Sequence, residues 1–201
     1  MNNKETRTVK EIRVEGAASG KPKISGYAAV FNSRSEDLGG FVEVIKPGAF
    51  TRTLTDGADV RALVGHDSNQ VIGRNKAGTL DIFEDEHGLR VEIDPPDTSV
   101  GRDIVESVRR GDIDSMSFGF IVETDSWNTE DGQEVRTLED VELLEVSVVA
   151  WPAYQDTEVA VRSMELSKKE VVVEPEKNDD AEIRLRLRIA EIIFDKNVLK
   201  Y

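Results

Sequence analysis

The chain contains two histidines and no cysteine, which restricts the catalytic chemistry that its side chains can perform. Without thiols, a cysteine nucleophile, a disulfide framework and a thiolate zinc site are excluded. Two histidines far apart in the sequence are weak support for a metal site, and no phosphate-binding loop is present. We therefore expect no metal and no cofactor. Hydrolysis by a serine, a histidine and a carboxylate remains open, because such triads are defined by geometry and not by chain order.

The two histidines occur in different contexts. His66 follows the apolar segment 62–64 and precedes Asp67, so we expect it at a strand end where a loop begins. Such positions often carry functional groups on a rigid support, although an isolated histidine there is more often structural. His87 lies in the acidic turn 84–88 and is expected to be exposed. His66 is therefore the better candidate for a catalytic base.

Ser117 is the candidate nucleophile, because its small hydroxyl stands among large apolar residues in the Met-Ser-Phe-Gly-Phe segment 116–120. Gly119 would allow a second backbone or a substrate to approach closely. A strand serine that is hydrogen-bonded to backbone is the commoner explanation of this pattern. Ser115 is an adjacent rival, and spacing does not separate the two serines.

Glu145 is the candidate carboxylate. It interrupts an otherwise apolar strand predicted over 141–150. A buried carboxylate is unfavourable unless it is paired or hydrogen-bonded, and a histidine imidazole is one partner that would justify it. Exposure to solvent on an edge strand would explain Glu145 equally well.

The elements that must position these residues are short strands separated by turns. Apolar or alternating segments predict strands over 24–31, 41–45, 60–64, 80–83, 89–93, 117–122, 134–137 and 141–150. A short helix is predicted over 49–54, and a longer one over 99–110, between an N-cap at Thr98 or Ser99 and a stop at Gly111. Many short strands with one or two helices predict a β-barrel or an α+β domain.

The character of the sequence changes after Arg162. We predict a folded domain over 1–163 and a charged linker with an amphipathic tail over 164–201. Within that tail, 181–194 is ambiguous, and a helix is favoured over a strand.

Charge and hydropathy limit the partners. A net charge of −14 disfavours nucleic-acid binding, which depends on neutralising phosphates. No apolar segment is long enough for a membrane-spanning helix, and the N-terminus lacks the apolar core of a secretory signal. A cytoplasmic location without nucleic-acid or membrane partners is therefore expected.

Several segments resemble the tailed-phage prohead (capsid maturation) serine proteases. Gly65-His66-Asp67 with 71–74 resembles the histidine motif of that family, and 116–120 resembles its serine motif. Residues 24–32 and 40–50 resemble its opening segments, and 144–149 with 152–153 its closing motif. Together these segments cover roughly residues 20–160 in the order in which the family has them.

The resemblance implies a fold and a set of site residues. The fold would be that of the herpesvirus assemblins: α+β but mainly β, with a closed β-barrel of about seven strands flanked by a few helices. Ser117 would be the nucleophile and His66 its base. Ser117 is favoured over Ser115 because the family commonly has glycine at the latter position. Glu145 is preferred as the third member over His87, although assemblins use a second histidine there.

The resemblance also implies a function. The chain would be a serine endopeptidase that cleaves the scaffolding segment of the major capsid protein, and itself, inside the assembling procapsid in the host bacterial cytoplasm. Its partners would be the capsid protein with its scaffold and a second copy of the chain, and the tail 164–201 is a candidate for self-cleavage. The alternative is a catalytically inactive scaffold or assembly module with a protease-like barrel. An esterase is a weaker alternative, because no nucleophile elbow is present.

Overall fold

The structure is a computed structural model, and it describes residues 4–16 and 20–151. The predicted linker and tail lie outside these residues, so the domain boundary stays a prediction. The described strands are β1 Glu5–Val9, β2 Ile12–Glu15, β3 Lys23–Val30, β4 Phe41–Ile45, β5 Arg61–Val64, β6 Asp67–Arg74, β7 Leu80–Glu84, β8 Gly88–Ile93, β9 Ser115–Glu130 and β10 Gln133–Val149. The described helices are α1 Thr51–Thr55, α2 Ser99–Arg110 and a 3-10 turn at Asn75–Ala77.

The strands form two sheets that share one hydrophobic core. The six-stranded sheet has the order β1-β9-β10-β5-β6, with β4 also paired to β10, and the four-stranded sheet has the order β2-β3-β8-β7. Phe118 and Val146 from the first sheet and Leu89 and Val91 from the second belong to the same buried cluster. The sheets therefore lie face to face, each burying the apolar side of its strands against the other.

The mainly β character with few helices was predicted correctly, but the closed barrel of about seven strands was wrong. Among the described residues there are ten strands, and neither sheet closes on itself. The six-stranded sheet ends at β1 and β6, and the four-stranded sheet ends at β2 and β7. Alternating hydrophobicity fixes which face of a strand is buried, but it does not determine which edge strands pair.

Strand β10 is the centre of the six-stranded sheet. It pairs antiparallel with β9 along one edge, and on its other edge it pairs parallel first with β4 and then with β5. Between those two partners, Val141 N donates to Ala49 O and Leu143 N donates to Thr53 Oγ1, so the segment that carries α1 occupies the gap. The two predicted strands 134–137 and 141–150 are thus one strand with local register shifts.

The local predictions succeeded where side-chain chemistry determines the backbone. Helix α2 begins after Thr98, whose hydroxyl accepts a hydrogen bond from Gly101 N, and it ends at Gly111 in the left-handed conformation. Asp131 and Gly132 form the hairpin turn that joins β9 to β10, and both have positive φ, as their residue types favour. The strands β1, β2 and β6 were not predicted.

A buried group of charges connects four strands of the six-stranded sheet. The side chain of Arg136, on β10, is 2% exposed, and it donates to Glu5 on β1, Glu43 on β4 and Asp125 on β9. Arg7 on β1 also bonds to both Glu5 and Glu43. Because buried charges are unfavourable without partners, these contacts fix the place of β1 at the edge of the sheet.

Replacement Arg136→Ala should lower the free energy of unfolding by about 3 kcal/mol, because two buried carboxylates are then left to share Arg7. The control is Arg34→Ala, which breaks the exposed pair between Arg34 and Glu130 and should cost at most about 1 kcal/mol. Urea unfolding of both variants measures the difference. Equal losses of stability would contradict a structural role for the buried charges.

Candidate active site

His66 lies in the tight turn that joins β5 to β6. Gly65 and His66 are its two central residues, with φ values of 60° and 62°, and Val64 pairs with Asp67 on either side. A two-residue turn with positive φ at both positions matches the twist of antiparallel strands. The backbone N of Gly65 donates to Val148 O, and that of His66 donates to Ser147 Oγ. The loop predicted after His66 is therefore absent, because β6 begins at the next residue.

Three polar side chains contact the Glu145 carboxylate. Its Oε1 lies 2.7 Å from His66 Nδ1 and 3.0 Å from Lys4 Nζ, and its Oε2 accepts a hydrogen bond of 2.7 Å from Ser147 Oγ. The residue is 5% exposed. Of the two explanations of Glu145 that the sequence left open, the structure therefore shows burial beside an imidazole.

The contact with Glu145 fixes the tautomer of the His66 ring. An ionised carboxylate only accepts hydrogen bonds, so Nδ1 must carry the proton in the neutral imidazole. The other nitrogen, Nε2, then has a free lone pair and can accept a proton. Within the described part of the chain, Nε2 is buried and has no hydrogen-bond partner.

Ser117 lies on the same side of the six-stranded sheet as these residues. It pairs with Ser147 across β9 and β10, and Gly119 pairs with Glu145. Residues directly opposite each other share a face, and alternate residues along a strand share a face. Phe118 accordingly lies in the core on the other face. The sheet thus gathers Ser117, Ser147 and Glu145 on the face that the His66 turn reaches.

The Ser117 hydroxyl is fully buried and, among the described residues, has no hydrogen-bond partner. The structure therefore brings His66 and Glu145 into contact but does not show a hydrogen bond between Ser117 and His66. Unpartnered buried hydroxyls are uncommon, and each one needs a structural or functional explanation.

Ser115 and His87, the alternatives to Ser117 and Glu145, have other hydrogen-bond partners. Ser115 Oγ donates to Asp114 Oδ1 at 2.6 Å, so this hydroxyl is already used. His87 lies in the turn before β8, where its half-exposed ring contacts Glu11 and packs edge-on against Tyr27. No described contact connects His87 with Glu145.

Gly119 is needed because of the carboxylate opposite it. A Cβ at this position would lie 2.5 Å from both Glu145 Oε1 and Lys4 Cε. The sequence predicted a close approach at Gly119 by backbone or substrate, but the groups that approach are these two side chains. A larger residue would therefore have to displace the Glu145 carboxylate, the end of the Lys4 side chain, or both.

The electrostatics of Glu145 result from two opposing effects. Burial raises the pKa of the Glu145 carboxyl, while hydrogen bonds from His66 and Ser147 and the positive charge of Lys4 lower it. The net pKa lies below the usual range for glutamate. The carboxylate is therefore ionised at neutral pH, as a group that orients an imidazole and stabilises its cation must be.

Sequence reasoning missed Ser147 and Lys4. Ser147 had a usable signal, because it is two residues after Glu145 and must share its face in any strand. Lys4 had none, because its contact with Glu145 spans 141 residues and depends on the pairing of β1 with β9.

The sequence of residues 7–170 matches a family model whose description is caudovirus prohead serine protease. The chain belongs to this family. Maturation of phage capsids by proteolysis, within the assembling procapsid, is the activity of the family, which agrees with the resemblance noted in the motifs. In the described residues no group of three or more acidic, histidine or cysteine side chains could hold a metal ion. None of the described helices is long and apolar enough to cross a membrane.

Comparison with individual proteins adds a structural relative. No curated protein matches the chain. The solved structure of the bacteriophage T4 capsid assembly protease is similar to this member of the family, with 11% sequence identity and a TM-score of 0.46. The match covers 74% of this chain and 98% of that chain.

The lowered pKa of Glu145 predicts how stability depends on pH. A carboxyl whose pKa is lower in the folded state stabilises the fold above its unfolded pKa of about 4.3, and the effect is lost as pH falls through the folded pKa. Glu145→Gln should therefore be less stable than wild type by about 1–3 kcal/mol above pH ~5, and this difference should shrink as pH falls below ~4. Urea unfolding between these pH values measures it.

The control for this prediction is Glu142→Gln, a change at an exposed position of the same strand. Its stability should follow that of wild type at every pH. A difference between Glu145→Gln and wild type that stays constant from neutral to acid pH would show that the Glu145 charge is not what stabilises the fold.

Proposed function

We propose that the chain is a serine endopeptidase that cleaves the scaffolding segment of the major capsid protein during procapsid maturation. The observation that carries the proposal is the pair of buried, unpartnered atoms Ser117 Oγ and His66 Nε2, beside an imidazole held by Glu145. Acyl transfer needs a hydroxyl nucleophile and a base that can accept its proton. Ser117 Oγ and His66 Nε2 are such groups, neither has a hydrogen-bond partner among the described residues, and the chain belongs to a serine protease family.

The first chemical step is formation of an acyl-enzyme. His66 Nε2 accepts the proton of Ser117 Oγ while the oxygen attacks the carbonyl carbon of the scissile peptide. The positive charge that develops on the imidazole is stabilised by Glu145, which accepts from Nδ1. Collapse of the tetrahedral intermediate breaks the C–N bond, and the imidazolium gives its proton to the leaving amine.

The second step is hydrolysis of the ester on Ser117. His66 accepts a proton from a water molecule as the oxygen of that water attacks the ester carbonyl. The imidazolium then returns the proton to Ser117 Oγ, which restores the free enzyme. Because the Glu145 contact keeps the ring in one tautomer, the same Nε2 serves in both steps.

Substrate must first reach a hydroxyl that is buried in this structure. Catalytic hydrogen bonds in free enzymes are often long and shorten only when substrate binds, so the missing contact between Ser117 and His66 is compatible with this mechanism. Access to the face that carries Ser117 is therefore part of the proposed activity.

The substrates are proposed from the family activity. The major capsid protein with its scaffolding segment is the principal one, and the chain itself is the second. Within the chain, the charged segment after Arg162 is the proposed region of self-cleavage, because solvated linkers are accessible to proteases. Loss of this segment during maturation is measured by the intact mass of the protease recovered from procapsids.

Ser117→Ala should abolish cleavage, since it removes the nucleophile and leaves the strand unchanged. We expect the rate to fall by about 10⁴-fold or more. The measurement is co-expression of the full chain with its capsid protein, followed by intact mass analysis of assembled procapsids. Wild type should remove a defined N-terminal capsid segment that remains with Ser117→Ala.

The matched control is Ser115→Ala, two residues earlier on the same face of β9. This variant should cleave like wild type, because the Ser115 hydroxyl contacts Asp114. Identical capsid masses with wild type and Ser117→Ala, in procapsids that had assembled, would favour the inactive scaffold or assembly module. Cleavage of simple esters without cleavage of peptides would instead favour an esterase.

A further inference from the structure

Lys4 lies against the oxygen of Glu145 that also contacts the imidazole. Its Nζ is 3.0 Å from Glu145 Oε1, and His66 Nδ1 is 2.7 Å from the same atom. One carboxylate oxygen therefore faces the Lys4 ammonium group and a ring that becomes a cation when it accepts a proton. The two compete for the same negative charge.

We propose that Lys4 is a positioning residue that holds the Glu145 carboxylate and sets the lower pH limit of catalysis by opposing the charging of His66. This inference deepens the proposed function and depends on it. Nothing in the motifs that identify the family includes this residue, because the family match begins at residue 7.

The position of Lys4 is fixed by the strand that follows it. Side chains alternate along β1, so Lys4 lies on the site face, while Glu5 and Arg7 lie on the core face. There, both contact the buried charges around Arg136 and Glu43. The buried ion pairs thus anchor β1 on one side of the sheet, and β1 presents a lysine to Glu145 on the other.

The close packing at Gly119 restricts where the lysine can lie. A Cβ there would meet Lys4 Cε at 2.5 Å and Lys4 Nζ at 3.0 Å, so the lysine side chain crosses β9 directly over this glycine. The side chain of Lys4 is 43% exposed, whereas that of Glu145 is 7% exposed. Its charge is therefore partly screened by solvent, and its effect should weaken with salt.

The other charged side chains near the imidazole form their hydrogen bonds with residues other than His66 and Glu145. Arg61 is the register neighbour of Glu145 on β5, but its guanidinium bonds to Asp59. Asp67 follows His66, and its carboxylate accepts from Asn69 and from Gln70. Of the described cations outside the histidine ring itself, Lys4 is the one in ion-pair contact with Glu145.

Removal of Lys4 should make the imidazole easier to protonate. Without the lysine, the full charge of Glu145 acts on the ring, so its protonated form is stabilised and the midpoint of its titration moves to higher pH. We expect an upward movement of about half a pH unit, which is about a threefold change in the proton dissociation constant. On the acid side of the pH profile, the decrease in kcat/KM should then begin at a higher pH than in wild type.

The first test does not require activity. The full chain carrying Ser117→Ala cannot cleave itself under the proposed mechanism, and its two histidines give two ring signals in NMR spectra. Comparison with His87→Asn assigns them. The His66 signal is titrated in this background with Lys4→Ala and, as control, with Lys10→Ala, which removes an equal charge from an exposed turn residue whose side chain bonds to no described group.

The second test uses the active enzyme. The pH dependence of kcat/KM for a capsid-derived peptide is measured for wild type, Lys4→Ala, Lys4→Arg and Lys10→Ala. On the acid side of the profile Lys4→Ala should be about threefold less active than wild type, and on the alkaline side the two should be equal. Lys4→Arg should restore the wild-type profile, and high salt should reduce the difference.

Several results would overturn the inference. A His66 titration that does not move in Lys4→Ala, or that moves equally in Lys10→Ala, would exclude the competition. An equal loss of activity at every pH would show that Lys4 has only a structural role. A lower melting temperature of Lys4→Gln than of wild type would identify such a folding defect. Failure of the proposed function is separate, because it would appear as unchanged cleavage in Ser117→Ala while the NMR titration still reports on Lys4.

Discussion

The site depends on one buried carboxylate, which is stable in its charged form only if other groups of the protein bond to it. Glu145 is almost inaccessible to water, so its two oxygens must find partners within the protein. His66, Ser147 and Lys4 supply them, and Gly119 leaves the space in which they meet. Lys4 precedes β1, His66 lies in the turn between β5 and β6, Gly119 lies on β9, and Ser147 lies on β10 with Glu145. Satisfying the carboxylate therefore determines the orientation of the imidazole, the turn that carries it and the approach of the N-terminal strand.

The pairing of β9 with β10 turns that local requirement into a face of the sheet. With Ser117 opposite Ser147 and Gly119 opposite Glu145, polar residues alternate with Phe118 and Val146, which belong to the core. A slip of one residue would exchange the two sets, placing the acid in the apolar core and the aromatic ring on the site face. The hydrophobic pattern that stabilises the two sheets is thus the same pattern that keeps the candidate nucleophile on the side of its base.

The sequence predicted the parts of this arrangement that depend on local chemistry. Capping residues predicted helix α2, and the apolar neighbours of Glu145 left two possibilities open, a buried partner such as His66 or exposure on an edge strand. The barrel was wrong, and Lys4 was missed, for the same physical reason: both depend on which strand lies beside which at long range. Ser147 was within reach, since alternation from Glu145 places it on the site face.

The place of β10 in the chain has a consequence for the timing of assembly during synthesis. It is the last described strand, yet β4, β5 and β9 all pair with it, so the six-stranded sheet has no centre until residues 133–149 have left the ribosome. Ser117 on β9 and the His66 turn between β5 and β6 are translated earlier, and β9 is hydrogen-bonded to neither β5 nor β6. Because contacts between distant segments form slowly, a nascent chain carries the candidate nucleophile and the candidate base well before it can bring them together. The order of the strands alone therefore delays assembly of the candidate site until nearly the whole described domain exists.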